Sequence, residues 1–213
     1  MTTHFLKATA AAAALMALTG AASAQTAVTA TADLNIRSGP GPQYPVVGVI
    51  GASGEATLDG CIEGSKWCRV NAGGVEGWAY SDYLTATFDS RQVIVTERPA
   101  EAVPLVTYES TSSTGDVLVG RADGSVASGT LIGRSSDVMV EPVAAPPPEV
   151  RTYITSNEVD PVYLDGEVVV GASVPETVVM REIPDYQYRY SYVNGQPVLI
   201  EPQSRRIVYV VRQ

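Results

Sequence analysis

Glycine-rich turn signals, repeated every eight to twelve residues, constrain the fold of residues 27–87 more than any other feature. The signals are Ser38–Pro42, Ser53-Gly54, Gly64-Ser65 and Gly73-Gly74. They separate five short runs of strand-forming residues: Asp33–Arg37, Val46–Ile50, Glu55–Asp59, Lys66–Asn71 and Val75–Tyr80. Short strands at this spacing, without a helical hydrophobic period, are typical of a small β-barrel or sandwich. The sequence therefore predicts an all-β domain at residues 25–87.

Two cysteines, Cys61 and Cys68, flank a Gly-Ser turn inside this domain. The turn predicts a hairpin with one cysteine on each strand, and such a pair forms a disulfide in an oxidising compartment. A redox CxxC pair has only two residues between its sulfurs, whereas this pair has six. A zinc site would need two further ligands. We therefore predict a structural disulfide between Cys61 and Cys68.

The N-terminus predicts export from the cytoplasm. His4 and Lys7 precede an apolar, alanine-rich run, Ala8–Ala22, and the run ends at the small-x-small motif Ala22-Ser23-Ala24. This pattern is typical of a cleaved signal peptide, here residues 1–24. The run is short for a membrane anchor, which needs about 20 residues. We expect a periplasmic or secreted protein that starts at Gln25 and does not span the membrane.

The charge and the residue inventory narrow the function classes. The net charge is −9, and no basic patch compensates for it, so nucleic acid is not an expected partner. The only histidine, His4, belongs to the predicted leader, which excludes Ser-His or Cys-His hydrolysis and a histidine-ligated metal. We predict no cofactor, no metal site and no enzyme activity. A carboxylate-based wall hydrolase is kept as an alternative.

The second half of the chain divides into a linker and a further β domain. Residues 88–149 are rich in Ser, Thr, Gly and Pro and are interpreted as an extended linker with some strand, at Gln92–Thr96 and Val117–Gly120. In residues 150–213, Tyr163–Val168 predicts a strand, a tight turn and a strand. Asn194-Gly195 predicts a type I′ hairpin turn, and Ile207–Val211 a third strand. The expected C-terminal domain is a small antiparallel meander.

Alternating tyrosines mark the first strand of that meander. Tyr186, Tyr188, Tyr190 and Tyr192 fall on one face of a strand, and the turn places Tyr192 opposite Pro197 and Tyr190 opposite Leu199. An aromatic platform for sugars or a partner is one interpretation. We favour the other, in which the rings cover a small core and keep their hydroxyls in water.

Residues 32–86 resemble the bacterial SH3 domain family. The motifs that carry the resemblance are Leu34–Gly41, Tyr44–Gly48, Trp67–Val70, Gly77–Tyr80 and Tyr83-Leu84. The resemblance implies a half-open SH3-like barrel of five to six strands, which in exported proteins binds peptidoglycan or serves as an accessory targeting module. The resemblance also agrees with a disulfide between the two cysteines, because a subset of these domains has one hairpin held by a disulfide.

The resemblance implies a ligand site at Asn35, Arg37, Tyr44, Trp78 and Tyr83. Arg37 is a candidate either to hold a carboxylate or to bond the carbonyls of the Ser38–Pro42 turn. Tyr44, which follows a Gly-Pro turn, is the ring expected to be exposed, and Tyr83 is expected to line the same groove. We expect Trp67 and Trp78 each to lie in the core rather than to face a ligand.

The stretch from Val174 to Val211 is similar to an exported bacterial family of uncharacterised function. The resemblance rests on Ile183–Asp185, Tyr188–Tyr190, Val193–Gly195, Val198–Ile200 and Arg206–Val208. The leading hypothesis is a non-catalytic envelope protein whose SH3-like domain binds peptidoglycan or an envelope protein. The alternative is a structural or assembly protein that makes only protein–protein contacts.

Overall fold

The computed structural model of the chain describes residues 25–99, 101–108, 131 and 143–212. The predicted signal peptide and the predicted strand Val117–Gly120 lie outside the described residues. Within the described residues, no helix is long and apolar enough to cross a bilayer.

The N-terminal half forms one antiparallel sheet of eight strands that curls into a half-barrel. In chain order the strands are β1 Thr26–Ala30, β2 Leu34–Arg37, β3 Val46–Ile50, β4 Glu55–Cys61, β5 Trp67–Ala72, β6 Val75–Tyr80, β7 Leu84–Phe88 and β8 Arg91–Ile94. Their order in the sheet is β3-β2-β6-β5-β4-β1-β7-β8. All five strands predicted within residues 33–80 are present, each shifted by at most two residues at an end. A 3-10 turn at Ser81–Tyr83 joins β6 to β7.

Apolar residues at alternate positions build the core of the half-barrel. In β4, Ala56 and Leu58 are buried, whereas Thr57 and Asp59, at the alternate positions, are partly exposed. Trp67 and Trp78 are 5% and 6% exposed, so both indoles lie in the core as expected. The predicted disulfide is confirmed: Cys61 and Cys68 face each other in the β4–β5 register and are bonded, with an S–S distance of 2.03 Å.

The C-terminal half contains one helix and a four-stranded antiparallel sheet. The elements are α1 Pro148–Ser156, β9 Arg181–Glu182, β10 Arg189–Val193, β11 Gln196–Ile200 and β12 Ile207–Val210. The sheet order is β12-β11-β10-β9. The predicted meander and its register are confirmed, with Tyr192 opposite Pro197 and Tyr190 opposite Leu199. Asn194 and Gly195 have φ values of 51° and 75°, the left-handed geometry of a type I′ turn.

Two of the four alternating tyrosines are core residues under α1. Tyr190 and Tyr192 are 3% and 9% exposed. Their hydroxyls donate to backbone carbonyls at the end of the helix, Tyr190 to Asn157 at 2.7 Å and Tyr192 to Ile154 at 3.2 Å. The favoured interpretation is therefore confirmed for this pair, except that the hydroxyls bond the helix and not water.

One element of this half was not predicted, and one expectation was wrong. The helix was not predicted, although Pro148 at its first turn is a typical helix start and the preceding prolines end at it. The strand–turn–strand predicted at Tyr163–Val168 is absent: these residues form no strand, and only Asp165 takes part in an isolated bridge. Their polar groups bond to other parts of the chain: Leu164 N donates to Asn194 Oδ1, and Asp165 O accepts from Leu131 N.

The two halves share one hydrophobic core. Val168, Val198 and Ile207 of the C-terminal half are fully buried in the same cluster as Leu34 and Leu58 of the half-barrel. Strand β7 runs through residue 87, and β8 extends the same sheet, so ordered structure continues into the predicted linker.

Residues 101–108, which we call the strap, cross the outer edge of the β4–β5 hairpin. Cys61 N donates to Pro104 O and Val106 N donates to Cys61 O, both at 3.0 Å. Val103 is 2% exposed. The strap can lie this close only because Gly60 has no side chain: a Cβ there would meet Val106 Cγ1 at 2.5 Å and Pro104 O at 2.7 Å.

We predict that Gly60→Ala detaches the strap and lowers the free energy of unfolding by about 1–3 kcal/mol, as overpacking does. Urea unfolding measures the loss, and proteolysis after Glu101 should accelerate. Gly51→Ala is the matched control, because its Cβ would meet only Asp33 Oδ1, at 3.9 Å. Equal behaviour of the two variants would contradict the close approach.

Candidate functional site

A buried ion pair joins the half-barrel to the C-terminal half. Arg37 on β2 donates from Nε to Glu167 Oε2 at 2.6 Å and from Nη2 to Glu167 Oε1 at 2.7 Å. The two side chains are 1% and 0% exposed. This is a bidentate pairing of a planar guanidinium with a carboxylate, the strongest geometry such a pair adopts.

Amide and backbone groups complete the hydrogen bonding of Glu167. Asn35 Nδ2 and Val168 N donate to Oε1 at 3.0 and 2.7 Å. Asn35 Nδ2 also lies 2.9 Å from Gln196 Oε1, so β2 is bonded to β11 as well. A buried carboxylate is stable only when its acceptor positions are filled in this way.

The remaining donors of Arg37 hold the turn between β2 and β3 to the β10–β11 turn. Its Nη1 donates to Pro42 O at 3.0 Å, to Tyr44 O at 2.8 Å and to Asn194 O at 3.3 Å. Both roles considered for Arg37 are therefore realised together, with the carboxylate supplied by the same chain.

A groove of about 580 Å³ lies above this network, between the two halves. One wall comes from the half-barrel, through Gln43–Val46, Gly48 and Val49. The other comes from the C-terminal half, through Tyr163, Asn194–Pro197, Val211 and Arg212. The groove is thus formed only when both halves are in place.

The charges around the groove are unlike those of the chain as a whole. Among the described residues, Arg37 and Arg212 line it and no carboxylate does, although the chain carries 23 acidic against 14 basic residues. Arg212 Nη1 pairs with Asp33 Oδ2 at 3.2 Å, and its Nε is buried without a hydrogen-bond partner among the described residues. Burial raises the pKa of the Tyr163 phenol, and the charge of Arg37 opposes that shift.

An aromatic cluster adjoins the groove at Tyr44. The ring of Tyr108, at the end of the strap, packs edge-on against Tyr44 at 5.8 Å and against Trp78 at 5.5 Å between ring centroids. Burial, together with a hydrogen bond to Tyr108, raises the pKa of Tyr44. The strap therefore fixes the orientation of Tyr44, the aromatic ring that the described part of the half-barrel places in the groove wall.

The five residues predicted to bind a ligand have different positions. Tyr44 is partly exposed in the groove wall. Arg37 forms part of the groove floor, and Asn35 lies fully buried in the Glu167 network. Trp78 lies under Tyr108, and Tyr83 is 3% exposed in the core beside Tyr80. Ligand binding by these residues stays a prediction, and Tyr44 is the one whose ring a ligand can reach directly.

Sequence reasoning did not identify the C-terminal residues of the site. Glu167, Gln196, Tyr163 and Arg212 carried no motif for a ligand or an interface. Asn194 was recognised only for its turn. Its side chain also accepts from Leu164 N at 2.7 Å and donates to Gly166 O at 3.1 Å, which positions the segment that carries Glu167. A charged residue directly before an apolar run, as Glu167 stands before Val168–Val170, was the available signal.

We predict that Glu167→Gln destabilises the protein by about 3–5 kcal/mol, because Arg37 would be left buried without its countercharge. Chemical denaturation measures the change. Glu182→Gln is the matched control: Glu182 pairs with Arg189 at 2.7 Å on the surface, and its loss should cost less than about 1 kcal/mol. Similar losses in both variants would show that the buried pair does not hold the halves together.

Two buried tyrosines predict a loss of stability in alkali. Burial raises the pKa of Tyr80 and Tyr83, with further contributions from the charges of Asp165 and Asp82 respectively. Because the folded state retains these protons, their stabilising effect is complete below about pH 10 and is lost as the pH rises further. Unfolding free energies measured from pH 8 upwards should fall above about pH 10, and less steeply for Tyr80→Phe. An identical slope in that variant would contradict the assignment.

Family models match both halves of the chain. The bacterial SH3 domain model matches residues 32–85, and a domain of unknown function, DUF1236, matches residues 153–212. No curated protein and no solved structure matches the chain. Bacterial SH3 domains bind cell-wall or protein partners, so the match indicates a binding role. The chain therefore combines a bacterial SH3 domain with a C-terminal DUF1236 domain.

Proposed function

We propose that this is a non-catalytic protein of the cell envelope that binds peptidoglycan in the groove between its two domains. The observation that carries the proposal is the composition of the groove: Tyr44 from the SH3 domain and Tyr163 from the C-terminal domain both line it, beside exposed polar groups. Rings that are apolar on their faces and polar at their hydroxyls suit ligands that combine sugars with peptides.

The rigidity of the groove supports binding. The walls are joined by the Arg37–Glu167 pair and by a shared apolar core, so the site is preorganised and a ligand does not have to order it. The disulfide and the predicted export signal are both compatible with the periplasm or the cell exterior.

A structural or assembly role is the second candidate, because of the exposed edge of the sheet. Val47 and Val49 on β3 are 47% and 41% exposed, and apolar edge strands are frequent protein-contact surfaces. In that case the protein would form stable oligomers or hetero-complexes without binding the wall.

Co-sedimentation with purified sacculi tests the proposal. We expect the protein to pellet saturably, and Tyr44→Ala and Tyr163→Ala each to weaken binding about tenfold by removing a ring from the groove. Tyr188→Ala is the matched control, since Tyr188 is also partly exposed but lies outside the groove.

Three results would contradict the proposal. Absence of pelleting would contradict wall binding, and together with a stable oligomer by light scattering it would favour the assembly role. Equal loss of binding in all three tyrosine variants would place the site elsewhere. Release of soluble muropeptides from the sacculi would identify a hydrolase.

A further inference from the structure

We propose that the groove binds an extended peptide with a free carboxylate, which adds as a strand to β3 and places its carboxylate at Arg212. This inference rests on the proposed function and specifies it: the recognised part of peptidoglycan is the peptide, which carries free carboxylates, and not the glycan. It joins two independent observations, an unpaired strand edge and a cationic groove.

The first observation is the position of β3. Among the described strands β3 is at the end of the sheet, with β2 as its only hydrogen-bonded neighbour. A strand bonded on one side leaves every second pair of backbone N–H and C=O groups free on the other. Pro45, Val46, Gly48 and Val49 line the groove, so the β3 segment itself forms one wall of the site.

The length of β3 sets the length of the peptide. Five residues at about 3.3 Å each give a strand of roughly 17 Å, which accommodates a peptide of four or five residues. The groove volume of about 580 Å³ lies within the usual range for small-ligand sites, roughly 300–1,000 Å³. Main-chain pairing would bind such a peptide with little dependence on its side chains.

The second observation is the charge of the groove. Arg37 is fully engaged inside the protein, so its bonds are not open to a ligand. Arg212 is different: its side chain is 29% exposed, and its two terminal nitrogens bond Asp33, Nη1 to Oδ2 at 3.2 Å and Nη2 to the backbone O at 3.3 Å. Each terminal nitrogen carries two N–H groups, so each keeps a second donor for a ligand. A second carboxylate is the ligand group that fits such a guanidinium, through charge-assisted hydrogen bonds.

Asp33 then competes with the ligand for Arg212. Its Oδ2 holds Arg212 Nη1 at 3.2 Å, while its Oδ1 accepts from Ala52 N at 2.9 Å. An asparagine at position 33 retains the bond to Ala52 and removes the competing charge. The proposal therefore requires Asp33→Asn to bind carboxylate peptides more tightly than the unaltered protein.

The test is an NMR titration of the purified protein with defined probes. The probes are an acetylated tetra-alanine with a free C-terminal carboxylate, its C-terminal amide, the free acid with alternate backbone nitrogens methylated, and an N-acetylglucosamine tetramer. We expect the free acid to shift the amide signals of Val46–Ile50 and to bind about tenfold more tightly than the amide. The methylated peptide, which lacks half of its donors, should not bind.

Protein variants assign the carboxylate contact. Arg212→Gln should reduce the affinity for the free acid to that for the amide, and Asp33→Asn should raise it several-fold. Arg151→Gln is the matched control, because Arg151 is exposed on α1 and outside the groove. A free acid that binds no better than the amide, or an affinity that Arg212→Gln leaves unchanged, would overturn the inference.

The probes and the sacculi separate this inference from the proposed function. Sacculus binding that depends on Tyr44 and Tyr163, together with shifts from the sugar tetramer and none from the peptide, would overturn the inference and leave wall binding intact. Binding of the carboxylate peptide without binding of sacculi would uphold the inference and contradict the wall as the target.

Discussion

The arrangement of the two domains depends on the neutralisation of one buried charge. Arg37 on β2 is 1% exposed, and a guanidinium does not lose its proton in a protein. Turn carbonyls alone cannot balance that charge, so a carboxylate has to lie beside it, and Glu167 of the C-terminal half supplies it. A buried pair of this kind adds little net stability compared with apolar residues, but it penalises every arrangement in which the partners are apart. Its effect is to select one relative position of the two domains.

The groove follows from that selection. Arg37 also holds the carbonyls of Pro42 and Tyr44 on one side and of Asn194 on the other, so the same side chain sets the separation of the two walls. The wall from the SH3 domain is an edge strand, and the wall from the C-terminal domain is a hairpin turn. A binding site that needs both would be lost if either domain were studied alone, although each matches its own family model.

The local elements could be predicted from the sequence because their signals are local. The turn spacing identified five barrel strands, Asn194-Gly195 identified the hairpin and its register, and the cysteine spacing identified the disulfide. What could not be predicted depends on distant partners. Leu164 and Asp165 were expected in a hairpin, but their backbone groups bond to Asn194 and Leu131. The strap has no strand periodicity, and it is ordered by the bare backbone at Gly60. The partner of Arg37 was open for the same reason, since 130 residues separate it from Glu167.

The position of Arg37 also shows that the side chains of a domain motif can become inaccessible to a ligand when a second domain packs against them. In an isolated half-barrel, the β2 side chains Asn35 and Arg37 would face solvent or a ligand, as the resemblance implied. Here the C-terminal domain covers both with Glu167 and Gln196, and it adds Tyr163 and Arg212 next to Tyr44. The surface that a ligand can reach therefore lies at the junction of the two domains and not at the β2 motif. Because β3 has no second neighbour among the described strands and Arg212 is partly exposed at the same junction, the ligand that we propose is an extended anionic chain and not a neutral sugar.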